Sequence, residues 1–171
     1  TVEALDRIGE GSKGVIIFHS LSKRSSAAGL RAGFIAGDKE VISKYRQLTS
    51  NGGVAISEPQ LRVAQALYND DKHVEQIRSF YDVNFQLSEK ILNSKKPQGG
   101  FFNFIPVNDD LIATKHLWEN HGVKVMPGRF MAHTDNGINP GRNYLRIALV
   151  NDETITKKGL QKISKGLQEL Q

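Results

Sequence analysis

The sequence predicts an α/β fold in two parts: an incomplete sheet with helices, then a smaller α+β unit. Three observations carry this. Val15-Ile16-Ile17-Phe18 and Gly33-Phe34-Ile35-Ala36-Gly37 are short apolar runs without polar alternation, the pattern of strands covered on both faces. After them, apolar residues recur at helical spacing. Beyond Pro97-Gln98-Gly99-Gly100 the elements read β-α-β-β-α, a set able to bury its own apolar faces.

Val2, Leu5 and Ile8 predict a helix over 2–9, broken by Gly11-Ser12-Lys13-Gly14. Asp38 is placed to cap a helix over about 39–50, with Val41, Ile42, Tyr45 and Leu48 on one face and Gly52-Gly53 closing it. Ser57 with Glu58-Pro59 opens the next, through about residue 68, because a first turn does not need the N–H that proline lacks. Asp70 or Asp71 starts the longest helix, about 72–94, with Val74, Ile77, Tyr81, Phe85 and Ile91 near one stripe.

A strand is predicted over 101–107, then a helix from Asp109 or Asp110 to about Asn120. Val123-Lys124-Val125-Met126 reads as a short strand ended by Pro127-Gly128, and a polar loop over 134–142 leads to a strand over 143–150. Asn151-Asp152-Glu153 starts a terminal helix with Ile155, Leu160, Ile163, Leu167 and Leu170 toward the core. Residues 1–70, 71–98 and 99–171 are expected to form a sheet-bearing part, a connecting helix and a small C-terminal domain. Two strands covered on both faces need neighbours that residues 1–57 do not supply, so those neighbours are expected upstream of Thr1 or on another chain.

With 39% hydrophobic and 24% charged residues, the 171-residue chain has an ordinary globular composition. It has no cysteine, which excludes disulfide and thiolate chemistry, and no metal-ligating set is expected. No apolar run reaches the roughly 20 residues that span a bilayer, and no signal peptide opens the chain, so the cytoplasm is expected. The net charge of +5 is scattered, with no tract of five basic residues. That pattern suits solvated faces or an anionic small molecule and does not point to nucleic acid.

Chemistry concentrates in His19-Ser20-Leu21-Ser22-Lys23-Arg24-Ser25-Ser26-Ala27-Ala28-Gly29-Leu30-Arg31-Ala32-Gly33. Hydroxyls, one lysine and two arginines lie between the two apolar runs, at the kind of sheet edge where α/β proteins bind ligands. A lysine beside Arg24 or Arg31 can become nucleophilic, and Arg31 offers a planar fork suited to phosphate. An amine with a phosphate cradle is what pyridoxal phosphate requires. Taken alone, a lysine in a serine-rich loop is ordinarily just solvated, and an arginine ordinarily pairs with a carboxylate.

Ser20-Leu21-Ser22-Lys23 followed by Gly29-Leu30-Arg31-Ala32-Gly33 resembles the lysine motif of class I/II (fold type I) pyridoxal-phosphate aminotransferases. The resemblance implies that Lys23 binds pyridoxal 5'-phosphate covalently and that Ser20 and Arg31 hold its phosphate, with Ser22 a further contact. Gly99-Gly100-Phe101-Phe102 is similar to the segment that brings an apolar wall over the substrate, which makes Phe102 a substrate-binding candidate. Val125-Met126-Pro127-Gly128-Arg129-Phe130 is similar to the family's strand and Pro-Gly turn. Tyr144-Leu145-Arg146-Ile147-Ala148 resembles the motif whose arginine takes the substrate α-carboxylate, a role a bidentate guanidinium fills better than an ammonium.

The implied fold is the C-terminal part of the cofactor-binding large domain followed by the small domain, and the implied assembly is a homodimer. Within the family, Ser20–Ser25 with the 34–38 strand most resembles bacterial succinyldiaminopimelate aminotransferases, which exchange an amino group with glutamate; aspartate- and aromatic-type relatives share the skeleton.

The family's glycine-containing phosphate loop and the residues that address the pyridine ring precede the lysine. They would lie upstream of Thr1, so the chain is expected to be a piece that is inactive alone. Two other classes are compatible with parts of the pattern. Ser20-Leu21-Ser22-Lys23 is formally the S-x-x-K of penicillin-binding serine enzymes, with Thr134-Asp135-Asn136 and Lys157-Lys158-Gly159 as imperfect partners. A non-catalytic assembly domain is the other.

Overall fold

The computed structural model describes residues 13–53 and 55–171; the helix expected over 2–9 lies outside them. Contacts divide the chain into two compact units, Thr1–Ile77 and Arg78–Gln171.

In the first unit, β1 (Ile16–Ser20) and β2 (Gly33–Gly37) pair antiparallel, from Ile16 opposite Gly37 to Ser20 opposite Gly33. A one-turn helix α1 (Leu21–Arg24) and a 3₁₀ turn (Ala28–Leu30) lie in the connection. Gly33 has a steric reason to be glycine, because a Cβ there would collide with the His19 carbonyl. Among the described residues nothing supplies the further strands that these two are expected to need. The described ladder has two strands, and Phe18 is 76% exposed. His19 stacks on Phe34 at 5.1 Å, and Tyr68 tilts against both rings at 5.3 and 5.6 Å, which covers part of the ladder only.

Asp38 caps α2 (Lys39–Asn51), its Oδ1 accepting the N–H groups of Glu40 and Val41. The apolar stripe of this helix exists but is not buried: Val41, Tyr45 and Leu48 are all exposed. In α3 (Glu58–Asn69), Pro59 sits in the first turn as expected, and the Ser57 N–H donates to Gln60 Oε1 at 3.2 Å. The unit's small core is Leu21, Ala32 and Ala64, with Ala27, Leu30, Ile56, Leu67 and Tyr68 packed around it.

The long helix α4 (Lys72–Leu92) crosses the division between the units. Then follow β3 (Phe102–Pro106), α5 (Asp110–His121), β4 (Met126–Pro127), β5 (Tyr144–Ala148) and α6 (Glu153–Gln168). The sheet runs β3-β5-β4, antiparallel throughout. The expected order of elements therefore holds, but the strand expected over 123–126 contracts to Met126–Pro127. Its start is taken by the helix end: the Val123 N–H closes α5 by donating to the Leu117 carbonyl at 3.0 Å.

Strand alternation sorts the sheet's faces. Ile105, Leu145 and Ile147 point into a core shared with Phe85, Ala113, Leu117, Leu149, Leu160 and Ile163. Ile155, expected to face the core, is 53% exposed. The first turn of α6 is anchored by Thr156 instead, which is buried and donates its hydroxyl to the Asn151 carbonyl at 3.0 Å. No helix among the described residues is long and apolar enough to cross a membrane.

Candidate active site

The turn carrying Lys23 is built from an alternation of buried and outward residues. Leu21 is fully buried and donates its N–H to the Ala32 carbonyl at 3.1 Å, which ties the start of α1 to the residue before β2. Ser20 is the N-cap of α1, its Oγ accepting the Ser22 N–H at 3.2 Å. Ser22 is half-buried and Lys23 exposed, both on the turn that Leu21 fixes from beneath. Arg31 closes the 3₁₀ turn in the left-handed region, φ 50°, with one guanidinium N–H donated to the Ala28 carbonyl at 3.1 Å. Among the described residues no carboxylate pairs with Arg31.

Arg24 and Ser25, next to the lysine, are held by the junction of α3 and α4. Arg24 donates to the Leu67 carbonyl at 2.7 Å and pairs with Asp71 at 2.6 Å. His73 Nε2 lies 2.9 Å from Ser25 Oγ, and its Nδ1 lies 2.9 Å from Asp70 Oδ2. The hydrogen bond from His73 holds the Asp70 carboxyl below its ordinary value. Sequence reading placed Asp70 and Asp71 only as helix-start residues. The signal that could have found this network is the pairing of two acids and a histidine at 70–73 with the basic, hydroxyl-rich turn at 20–25.

In the second unit Arg146 sits on the sheet face opposite the core, directly across from Phe104 on β3 and Met126 on β4. Its guanidinium carbon lies 4.4 Å from the centre of the Phe102 ring, a cation–π contact. Phe102 continues a run of rings through Phe101, centroids 4.3 Å apart, to Tyr81, a further 5.7 Å. On the same face Phe104 stacks on Tyr144 at 5.0 Å. No carboxylate among the described residues pairs with Arg146. The structure thus brings Arg146 and Phe102 together in one unit, and Ser20, Ser22, Lys23 and Arg31 together in the other.

The Pro-Gly turn beside Arg146 is held by a group that sequence reading took for a mere helix cap. Asp110 is fully buried and accepts from the Arg129 N–H at 3.0 Å, the Arg129 guanidinium at 2.5 and 2.8 Å, and the Asn143 N–H at 3.2 Å. Burial pushes its carboxyl up, but the Arg129 side chain and the two backbone N–H groups outweigh that and lower it to about 2. Asp109 supplies the cap, accepting from Leu111 and Ile112, and also meets Arg129 at 3.1 Å. Asn84, also fully buried, donates to the carbonyls of Leu149 and Asn151 and so fixes the chain just beyond β5. Gly128 and Gly141 meet backbone to backbone, and a Cβ on either would strike the other's carbonyl.

The penicillin-binding pattern does not survive. Lys157-Lys158-Gly159 lies inside α6 rather than on a strand, and the Ser20 hydroxyl oxygen is occupied as a cap. The donor set of the lysine turn fits pyridoxal phosphate instead: hydroxyls and an arginine fork for a phosphate, and an amine for an aldehyde, all on one connection between paired strands.

Fold and donor set together suit the lysine-bearing part of a pyridoxal-phosphate-binding α/β fold. The family model for aminotransferase class I and II matches residues 2–162, and the chain belongs to that family, whose members are pyridoxal-phosphate-dependent. Among curated relatives, the chain is 30% identical over 153 residues to 4-dedimethylamino-4-oxo-anhydrotetracycline transaminase OxyQ of Streptomyces rimosus, covering 86% of this chain and 41% of that protein. It is 31% identical over 164 residues to LL-diaminopimelate aminotransferase of Natranaerobius thermophilus, covering 90% of this chain and 41% of that one. A solved aminotransferase from Neisseria meningitidis superposes with a TM-score of 0.92 at 34% identity, over 97% of this chain and 44% of that one. The chain therefore spans about four-tenths of the length of the curated relatives it matches.

Proposed function

We propose that the full-length protein is a pyridoxal-phosphate-dependent aminotransferase, moving an amino group from an amino acid to a 2-oxo acid. The observation that carries this is the Ser20–Arg31 connection: a capped one-turn helix bearing Lys23, with Arg31 turned back at its far end. When bound, the cofactor supplies the electron sink that makes a substrate Cα–H acidic. Lys23 holds the cofactor until substrate arrives, then acts as general base and acid at the substrate Cα. Ser20 and Arg31, with Ser22, anchor the phosphate and so fix the geometry of that proton transfer.

Arg146 receives the substrate α-carboxylate. Its guanidinium is already oriented by the Phe102 ring, so less conformational entropy is lost when a carboxylate binds. Phe102 forms part of the apolar wall. A homodimer in the cytoplasm belongs to the same reading.

The finer reading is succinyldiaminopimelate as amino donor with 2-oxoglutarate as acceptor. It is supported by the sequence pattern at Ser20–Ser25 and by the similarity to an LL-diaminopimelate aminotransferase. An aspartate- or aromatic-type donor is the alternative, and the aromatic run Tyr81–Phe101–Phe102 beside Arg146 favours the aromatic type of the two.

The test is Lys23→Ala in the full-length protein. Borohydride treatment followed by peptide mass analysis should attach a reduced cofactor to the wild-type Lys23 peptide only, and the variant should lose transamination. A variant that keeps its activity would sink the assignment. Steady-state comparison of succinyldiaminopimelate, aspartate and phenylalanine as donors separates the finer readings.

A further inference from the structure

In the second unit, the C-terminal ends of α5 and α6 bring two histidines and a carboxylate to one point. His116 Nε2 lies 2.9 Å from Glu169 Oε2, and His121 Nε2 lies 2.8 Å from the same oxygen. One donor atom from each residue falls within 4.8 Å of the others. We propose that His116, His121 and Glu169 form a binding site for a divalent first-row metal ion of the zinc class, a site independent of the transamination chemistry.

The geometry suits the ion. Two imidazole nitrogens and a carboxylate oxygen are ligands that zinc takes at about 2.0–2.2 Å, which sets neighbouring ligand atoms about 3.3 Å apart in a tetrahedral shell. For an ion to replace the shared hydrogen bonds, the nitrogen–oxygen separations of 2.9 and 2.8 Å open by a few tenths of an ångström, and the two histidine nitrogens, within 4.8 Å of each other, settle to the same spacing. The ring centroids lie 5.4 Å apart and the rings are tilted by 56°, so they converge on Glu169 rather than stack. Three protein ligands leave one position for water, so the ion can enter and leave.

Local structure holds the ligands in place before any ion arrives. His116 and His121 are five residues apart, a spacing that does not share one helix face, and the helix end resolves the mismatch. His121 is the last residue of α5; Gly122 then turns left-handed at φ 62°, and its N–H donates to the Trp118 carbonyl at 3.2 Å. Across from it α6 presents Gly166, where a Cβ would sit 2.8 Å from His121 Cδ2 and 2.7 Å from a Leu117 methyl. The glycine thus leaves room for the imidazole, whose side chain is 9% exposed. Outside the ligands, Asn120 Nδ2 lies 3.0 Å from His116 Nδ1; a metal-bound His116 carries its proton there, so the Asn120 amide turns over to accept it through Oδ1. Lys162 also reaches this corner, its Nζ donating to the His121 carbonyl at 3.1 Å.

No motif spacing announces this set, because its third ligand lies 48 residues beyond His121. It joins the ends of two helices, so an occupied site would fasten α5 to α6. Copper and nickel should compete with zinc, in line with the general affinity order for nitrogen and oxygen ligands.

The experiment is calorimetric titration of the full-length protein, stripped by chelator and freed of any affinity tag, with Zn²⁺ alone. One equivalent per chain should bind. His116→Ala and Glu169→Gln should each weaken that binding at least tenfold, with circular dichroism spectra unchanged. Gly166→Ala should weaken it too, by displacing the His121 ring. Substituting Co²⁺ should give the visible absorption of a tetrahedral site in the wild type and not in the His116 variant. Absence of stoichiometric binding, or binding indifferent to both ligand substitutions, overturns the proposal. Lys23→Ala should leave the titration unchanged, which separates the failure of this site from failure of the aminotransferase reading.

Discussion

His73 Nε2 lies 2.9 Å from Ser25 Oγ, and Ser25 is two residues past Lys23. The start of the long helix therefore reaches the turn that carries the candidate cofactor lysine. Together with Arg24 on the Leu67 carbonyl, this contact holds the end of α1 against the junction of α3 and α4. Replacing His73 by Ala should cost about 1 kcal/mol of stability. In the full-length protein it should also weaken cofactor retention, measured by dialysis and absorbance. Asp71→Ala removes an acid whose side chain is 83% exposed, so its effect on the melting temperature should be small. A large cofactor effect from Asp71→Ala and none from His73→Ala would contradict this ordering.

Arg31 offers a test that separates backbone from guanidinium. Its φ of 50° suits glycine, so Arg31→Gly should keep the turn while deleting the phosphate ligand. Cofactor affinity of the full-length protein should fall at least tenfold with little change in folding. Arg31→Lys keeps the charge but loses the fork and should fall between the two. Wild-type affinity in Arg31→Gly would remove Arg31 from the proposed phosphate site.

Arg146→Lys should raise the KM for amino-acid substrates more than it lowers kcat, because the lost bidentate contact is made to bound substrate and transition state alike. Phe102→Leu keeps an apolar wall but removes the ring beneath the guanidinium, and should raise KM by a smaller factor. A change confined to kcat in Arg146→Lys would argue that this arginine does not receive substrate.

Asp110→Ala should destabilise the second unit by about 3 kcal/mol, since it leaves two backbone N–H groups without their acceptor and the Arg129 guanidinium with Asp109 alone. The same group sets an acid limit. Its folded value of about 2 lies below the ordinary 3.8, so its contribution is present above about pH 4 and is lost as pH falls toward 2. Acid titration followed by circular dichroism should show a transition in that window, and the Asp110→Ala protein, already destabilised, should lack this component.

Gly128→Ala and Gly141→Ala should each be severely disruptive, because the added methyl meets a backbone carbonyl that cannot rotate away. Gly159→Ala in α6, where a Cβ meets nothing, should be neutral or stabilising by up to about 1 kcal/mol. Thermal unfolding of the three variants checks the contrast.

Elements with local causes were readable in the sequence. Asp38, Pro59, Asp109 and Asp152 mark helix starts because capping and first-turn chemistry act within a few residues. The lysine turn was legible for the same reason, since Ser20, Ser22, Lys23 and Arg31 lie within one connection between two apolar runs. Elements that depend on partners were not. Whether Val123 joins a strand or closes a helix turns on which carbonyl its N–H reaches, and periodicity does not encode that choice. Ile155 and the stripe of α2 fit helical spacing, yet spacing names a face without saying whether anything covers it.

By itself, then, the sequence determined the order of helices and strands, the capped starts, and the concentration of amine, hydroxyl and guanidinium between β1 and β2. Only the tertiary structure decided that Asp110 is a buried acceptor for Arg129, that Arg146 lies over Phe102, and that His116, His121 and Glu169 meet. The physical reason is range. Caps and turns are satisfied by groups a few residues away, whereas those three associations join residues 19, 44 and up to 53 positions apart, and only the packed chain brings such groups within reach.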